Sequence, residues 1–246
     1  ERFRRRFSIS DPAFRAACDA VRRLKAAGFE AGLVGGSVRD LLLGHVPADF
    51  DLVTTAVPEQ LAKLFPGSRS VGASFGVSLI DAGEFRFEAA TAREERNYLD
   101  GRHPELVRYT DSLECDMKRR DFTVNALWYD PVSEEVCDCV GGVTDLERGI
   151  LRTVGAPEER FREDYLRMLR AVRFAARLGL EPAPGTRRAI SDLAPLAAEL
   201  APERIAGELT RMLTGPAPDR AMRLLLELGL LRAVLPEVAA LDGVAQ

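Results

Sequence analysis

The chain has 246 residues, 46% hydrophobic and 29% charged, with a formal net charge of −4. That composition fits a globular protein with enough length for one large domain or two modest ones. No run of eighteen apolar residues occurs, which excludes a membrane-spanning helix, and no signal-peptide pattern is present, so a cytoplasmic location is expected. Four cysteines (Cys18, Cys115, Cys137, Cys139) and two histidines (His45, His103) argue against a disulfide scaffold, a histidine triad or a zinc centre.

Periodicity predicts an amphipathic helix over 12–27, stopped by Gly28. A short strand follows over 31–34, then Gly35-Gly36 and a helix over 37–43, with Ser37 as N-cap. A glycine pair between strand and helix lets a ligand approach the backbone, and the helix start suits phosphate. A second strand over 50–53 carries Asp49 and Asp51, two apart and so on one side. Paired carboxylates beside a phosphate cradle suit divalent metal and phosphoryl or nucleotidyl transfer. Either half alone is a common turn or solvated loop; together, joined by Arg39, they point to one site.

Further along, 58–65 reads as helix, and 75–81 with 84–90 as a hairpin about Ala82-Gly83. Glu88 is the candidate third acidic group, although an exposed strand glutamate reads the same way. Residues 91–109 are polar and read as a mobile loop, 122–127 as helical or mixed, and 150–154 as the close of the α/β part. Cys137-Asp138-Cys139 lacks metal-ligand spacing and reads as structural. From 157 onward only helical patterns appear, broken by Pro182, Pro184, Pro202 and Pro216. The fold class is α+β: a mixed head over 1–154, a helical neck over 155–214, and the start of a helical body over 215–246.

Charge is unevenly placed. Residues 160–188 hold eight arginines and a local net charge of +5, enough to attract a polyanion. Smaller basic clusters lie at 2–6 and at Lys118-Arg119-Arg120. In the latter segment Arg120 can fork onto phosphate, and Asp121 with Asn125 suits ribose hydroxyls or a neighbouring arginine. A helix over 161–178 places Asp164, Arg167, Arg170 and Arg173 at steps of three. A salt-bridged face is the plain reading. The sharper one is that Asp164 accepts from an exocyclic amine while Arg167 donates to the adjacent ring nitrogen. Cytosine and adenine present that order; uracil and guanine present the reverse.

GGSVRD, DFD, RRDFTVNAL, EDYLRMLRAVRFAARLG and PERIAGEL, in this order and spacing, resemble the bacterial class II tRNA nucleotidyltransferases and their relatives, the bacterial poly(A) polymerases, over roughly residues 25–240. The resemblance implies a DNA-polymerase-beta-type nucleotidyltransferase head, a helical neck and body, and a tail, which this stretch does not include. It implies that Asp49 and Asp51 hold Mg2+ and carry catalysis, and that Gly35, Gly36 and Arg39 contact the triphosphate. Arg120 and Asp121 would bind phosphates and sugar, Asp164 and Arg167 read the base with Arg170 and Arg173 in support, and Glu203, Arg204 and Glu208 brace the neck helix. The substrates implied are the 3′ end of tRNA, CTP and ATP. Glu95, Tyr98, Asp100, Gly101, Arg102 and Pro104 resemble the flexible loop of complete CCA-adding members, which favours CCA addition over CC-only, A-only or poly(A) products. Cys115 and Ala92 depart from residues common in relatives. Asp49-Phe50-Asp51-Leu52-Val53 also fits a haloacid-dehalogenase-type phosphatase motif, but a loop rather than an apolar strand precedes it. A non-catalytic RNA-binding module would gain nothing from two carboxylates on a phosphate path.

Overall fold

The structure, a computed structural model, describes residues 1–71, 76–98 and 104–243. It divides into one compact unit over 1–97 and 104–143 and a second over 98–103 and 144–246.

The first unit begins with β1 (Arg2–Arg4) and α1 (Pro12–Ala26), whose N-cap Asp11 accepts from the amides of Ala13 and Phe14. β2 (Ala31–Val34), α2 (Gly36–Leu42), β3 (Asp51–Thr54) and α3 (Pro58–Leu64) follow, then β4 (Arg69–Ser70), β5 (Val77–Ala82) and β6 (Phe85–Thr91). The expected hairpin about Gly83 is present, with β5 and β6 antiparallel. Residues 91–109, read as a loop, instead contain β7 (Arg93–Tyr98) and β8 (Pro104–Tyr109), which pair in a separate two-stranded sheet. α4 (Leu113–Lys118) and a 3-10 turn (Thr123–Asn125) lead into β9 (Leu127–Asp130) and β10 (Glu135–Asp138). β1, β9 and β10 have no counterpart in the sequence reading. They are too short to show a period, and pairing alone defines them.

The main sheet runs β1-β10-β9-β2-β3-β6-β5-β4. One cross-strand row holds Phe3, Val136, Tyr129, Leu33, Leu52 and Ala89, all packed in the core that includes α1. The neighbouring row, on the opposite face by strand alternation, holds Arg2, Cys137, Trp128, Val34 and Asp51. β2 passes close to β9: a Cβ at Gly32 would lie 2.8 Å from the Tyr129 carbonyl oxygen.

After α5 (Gly142–Glu147), the second unit contains β11 (Ile150–Leu151), α6 (Pro157–Glu163), α7 (Leu166–Leu178) and β12 (Glu181–Pro182). α8 (Pro184–Leu193), a 3-10 segment (Ala194–Glu199), α9 (Pro202–Leu213), α10 (Pro218–Glu227), α11 (Leu230–Val234) and α12 (Pro236–Ala239) complete it. The head expected over 1–154 ends by packing near Val143, because β11 pairs in parallel with β12 and so takes its partners from the second unit. α7 packs against both α9 and α10, so the segments expected as neck and body form one unit here. The single helix expected over 161–178 is two helices, broken where Asp164 adopts an extended backbone (φ −159°, ψ 108°).

Gly32→Ala should destabilise the first unit by about 1–3 kcal/mol, because the new methyl meets backbone that cannot yield without moving β9. Urea unfolding of both proteins measures the difference; equal midpoints and slopes would contradict the close strand approach.

Candidate active site

Asp51 opens β3, and Asp49 lies two residues before it. Phe50 and Leu52 are buried at 4% and 0% exposure, which turns the carboxylates on either side of Phe50 away from the core. Leu52 pairs with Ala89 on the parallel strand β6, so the preceding residues Asp51 and Glu88 stand side by side. All three carboxylates line a cleft of about 390 Å³ with Phe85 and Arg86. Asp51 reaches solvent, yet desolvation in the cleft, then Asp49, then Glu88 push its pKa up to about 6, with Arg120 acting in the opposite direction. Among the described residues no group of three His, Cys, Asp or Glu side chains converges as a metal cage. Two hard carboxylates with surplus negative charge fit a hard divalent cation, which takes oxygen ligands.

The glycine pair sits at the corner between β2 and α2. The N-cap is Gly35, not Ser37, whose hydroxyl donates to the Val34 carbonyl at 3.1 Å. Gly35 has φ +75° and ψ −130°, a region open essentially to glycine. A Cβ there would stand 3.0 Å from Nη1 of Arg120, so the corner and Arg120 fit together only without a side chain. Burial holds the Arg120 guanidinium below its usual pKa, although Asp116 offsets this, and its Nη2 lies 3.4 Å from the Asp116 carboxylate. Nε of Arg120 is buried with no partner. The fully buried Asp116 also accepts from Nε and Nη2 of Arg119 at 2.8 and 2.6 Å.

Arg39 is 2% exposed. Its Nε donates to Asp40 at 2.8 Å and its Nη1 to the Asn125 side-chain carbonyl. Asn125 Nδ2 in turn donates to Asp121 at 3.2 Å. Asp121 and Asn125 do meet as expected, but across a 3-10 turn rather than along an α-helix. Asp121 also accepts from the Phe122 amide at 2.8 Å. A polar chain thus ties α2 to the segment that carries Arg120, and Arg39 is a member of that chain.

In the second unit Asp164 and Arg167 flank the start of α7. Asp164 accepts from the Leu166 amide at 3.0 Å and from both terminal nitrogens of Arg204, at 3.1 and 2.8 Å. Arg167 donates to Glu163 and to the Arg160 carbonyl, the latter at 3.1 Å. Arg173 donates through Nε to the buried Glu208 at 2.6 Å, and its guanidinium lies 4.2 Å from the Phe174 ring centroid. Arg170 approaches the same ring at 5.3 Å. Arg204 and Glu208 therefore brace this cluster, as expected. Sequence alone does not single out Asp116 or Glu163. Their signal is spacing of three or four from Arg119, Arg120 and Arg167, which any solvated helix face also shows. Asp100, Gly101 and Arg102 of the expected flexible loop lie outside the described residues.

Residues 31–152 match the poly A polymerase head domain, and 179–241 match the probable RNA and SrmB-binding site of polymerase A. The chain is 44% identical over 229 residues to a CCA-adding enzyme of Geobacillus kaustophilus, covering 93% of this chain and 56% of that protein. It is 43% identical to poly(A) polymerase I of Escherichia coli O6:H1, covering 88% and 49% respectively. A crystal structure of the Bacillus stearothermophilus CCA-adding enzyme in complex with CTP superposes with a TM-score of 0.82 at 41% identity, covering 89% of this chain and 53% of that one. The chain thus spans about half the length of the relatives it matches.

Asp51→Asn should raise thermal stability in metal-free buffer at pH 8 and have little effect at pH 3. An acid whose folded pKa is raised from 3.8 to about 6 destabilises the fold fully above the folded value and not at all below the unfolded one, where it is protonated in both states. The gain at pH 8 should be on the order of 1 kcal/mol, the full shift being reduced because the side chain reaches solvent. Calorimetry at both pH values checks it; a loss of stability at pH 8 would count against crowded carboxylates.

Proposed function

We propose template-independent nucleotidyl transfer to the 3′ end of tRNA as the activity of this chain, which belongs to the bacterial tRNA nucleotidyltransferase and poly(A) polymerase family. The observation that carries the reading is the cleft in which Asp49, Asp51 and Glu88 crowd together within a head-domain match. The RNA 3′-oxygen, its proton passing to solvent, attacks the α-phosphorus of CTP or ATP; the new phosphodiester bond forms in line as the bond from the α-phosphorus to the oxygen bridging to the β-phosphate breaks, and pyrophosphate leaves with that oxygen. Asp49 and Asp51 would hold Mg2+, which when bound lowers the hydroxyl's pKa and neutralises charge on the leaving pyrophosphate. Gly35 and Gly36 leave room for the triphosphate at the α2 corner. Arg120, with a buried unpartnered Nε, supplies positive charge to it, and Arg39 orients this corner through Asn125 and Asp121.

Base choice rests on Asp164 and Arg167. A carboxylate has about four acceptor sites. Arg204 and the Leu166 amide occupy part of that capacity and leave room for an exocyclic amine. Arg204 thereby fixes the carboxylate's orientation, and Glu163 does the same for Arg167. Arg173, held by Glu208, and Arg170, over the Phe174 ring, support the helix. CCA is the product favoured over CC alone, a terminal A or poly(A): the Y-x-D-G-R-x-P pattern at 98–104 and the similarity to CCA-adding enzymes both support it. Poly(A) addition is the second reading, favoured by the likeness to poly(A) polymerase I. No helix of the described residues is long and apolar enough to cross a membrane, which agrees with a cytoplasmic enzyme acting on tRNA.

Incubation with tRNA lacking its 3′ end, with nucleotides offered singly and in pairs, tests the reading; sequencing should find C, CC and then CCA. A tail of adenosines alone would support poly(A) polymerase instead. Asp49→Ala should abolish incorporation with the fold retained, and incorporation near the parental rate would remove that carboxylate from the site. Asp164→Ala should lose efficiency with CTP and ATP while gaining relative use of UTP or GTP by roughly ten- to a hundredfold, the value of a buried mismatched hydrogen bond. Arg204→Gln should move selectivity in the same direction by a smaller factor, because it loosens the carboxylate without removing it. Unchanged preference for C and A in a four-nucleotide competition would refute the base-reading role.

A further inference from the structure

One cation, Arg86, lines the candidate cleft beside its three carboxylates, and neither nucleotide binding nor base selection accounts for it. Arg86 and Glu88 are two apart on β6, so both side chains leave the same face of the sheet, about 6.6 Å apart along the strand. A flexible arginine at that spacing can reach Glu88. It turns across the hairpin instead: Asp81 stands directly opposite in the β5–β6 register, and Arg86 Nε donates to its carboxylate at 2.7 Å. Asp81 is itself confined. A Cβ at Gly67 would lie 2.9 Å from its second oxygen, so the turn after α3 closes over that side. Among the described residues Asp81 is the one ion-pair partner of Arg86, and it takes one of the five N–H donors of the guanidinium. The terminal nitrogens, on an exposed side chain, are left to an acceptor from outside.

Sheet order decides what can approach from this side. Val34 of β2 pairs with Asp51 on one flank, and Glu88 of β6 stands beside it on the other. The glycine corner follows Val34, with the Arg120 guanidinium against it, on the β2 flank. A triphosphate at that corner would direct its leaving pyrophosphate to the β2 flank. In-line displacement puts the attacking oxygen on the side of the α-phosphorus away from the leaving group. An RNA 3′ end must then come from the β6–β5 flank, where Arg86 is the lining cation. The bond to Asp81 also keeps Arg86 off the carboxylates: the positive charge that acts on Asp51 is that of Arg120.

We propose that Arg86 donates through its terminal nitrogens to the phosphate of the RNA's 3′-terminal nucleotide, and that Asp81 is the positioning residue that aims it. The contact sets the attacking 3′-oxygen one nucleotide length from Arg86, over Asp49 and Asp51. The inference rests on the nucleotidyltransferase reading of the same cleft. The competing explanation is a cross-strand ion pair that only steadies the β5–β6 hairpin. A hairpin pair acts without regard to the RNA, whereas a phosphate contact depends on the charge of one linkage.

The test removes either end of the contact. A tRNA lacking its 3′ CCA is prepared with an ordinary or an uncharged methylphosphonate linkage on the 5′ side of its terminal nucleotide. The kcat/KM for CTP addition to each RNA is measured for the parent, Arg86→Gln and Asp81→Asn. The methylphosphonate should cost the parent about tenfold or more, and so should Arg86→Gln on ordinary RNA, as expected for a charge-assisted hydrogen bond. Arg86→Gln should then extend both RNAs equally well. Asp81→Asn, which keeps the cation but frees it, should fall between the other two in its sensitivity to the linkage. CTP binding should match the parent in both variants, which reports an intact fold. Parental kcat/KM in Arg86→Gln, or the full methylphosphonate loss in that variant, would overturn the proposal in favour of the hairpin pair. A parent indifferent to the methylphosphonate would overturn it without any variant. If the parent does not extend the ordinary RNA at all, the nucleotidyltransferase reading fails instead, and the two failures are thereby told apart.

Discussion

Asp49, Asp51 and Glu88 face one cleft, where desolvation, and then the neighbouring carboxylates, lift the Asp51 pKa to about 6. Carboxylates so placed repel one another, and the surrounding head offsets only part of that repulsion. Phe50 and Leu52 anchor the chain by burial on the far side, and parallel pairing of β3 with β6 holds Glu88 beside Asp51. Arg120 supplies the opposing charge from a buried position. The remaining negative potential is what a divalent cation and the phosphates it carries would satisfy. Local instability at this end of the sheet and capacity for metal-assisted chemistry therefore have one electrostatic origin.

The supports of the site are polar chains rather than apolar packing. Arg39, Asn125 and Asp121 connect the glycine corner to the segment bearing Arg120, while Asp116 organises Arg119 and Arg120 from one buried carboxylate. In the second unit Arg204 and Glu208 on α9 hold Asp164 and Arg173 respectively. Each of these carboxylates or amides has specific donors, so its orientation is set by geometry that an apolar contact would leave free. Removing one member of such a chain leaves its partner buried and unsatisfied, which costs about 1–3 kcal/mol. Substitutions away from the reacting atoms should consequently move activity and stability together.

Arginine content alone is a poor guide to where RNA would bind. Four of the eight arginines at 160–188, namely Arg160, Arg167, Arg173 and Arg187, are committed to glutamate pairs, whereas Arg162 and Arg188 are exposed. A charge count over a window weights both equally. Only the pairing pattern separates structural arginines from those open to an external phosphate.

The sequence by itself determined the α+β class, the strand–glycine–helix corner, the β5–β6 hairpin and the residue types of the candidate site. These follow from local periodicity and from motifs whose members are near in sequence, such as Gly35-Gly36 with Arg39 or Asp49 with Asp51. Tertiary structure decided which of those residues are exposed. It buried Arg39 against Asn125, 86 residues away, and split the helix at 161–178 so that Asp164 could receive Arg204 from 40 residues on. It also paired 93–98 with 104–109 where polarity suggested a loop. In each case the deciding partner is distant along the chain, and side-chain commitment depends on distance in space, which no local pattern of residue types contains.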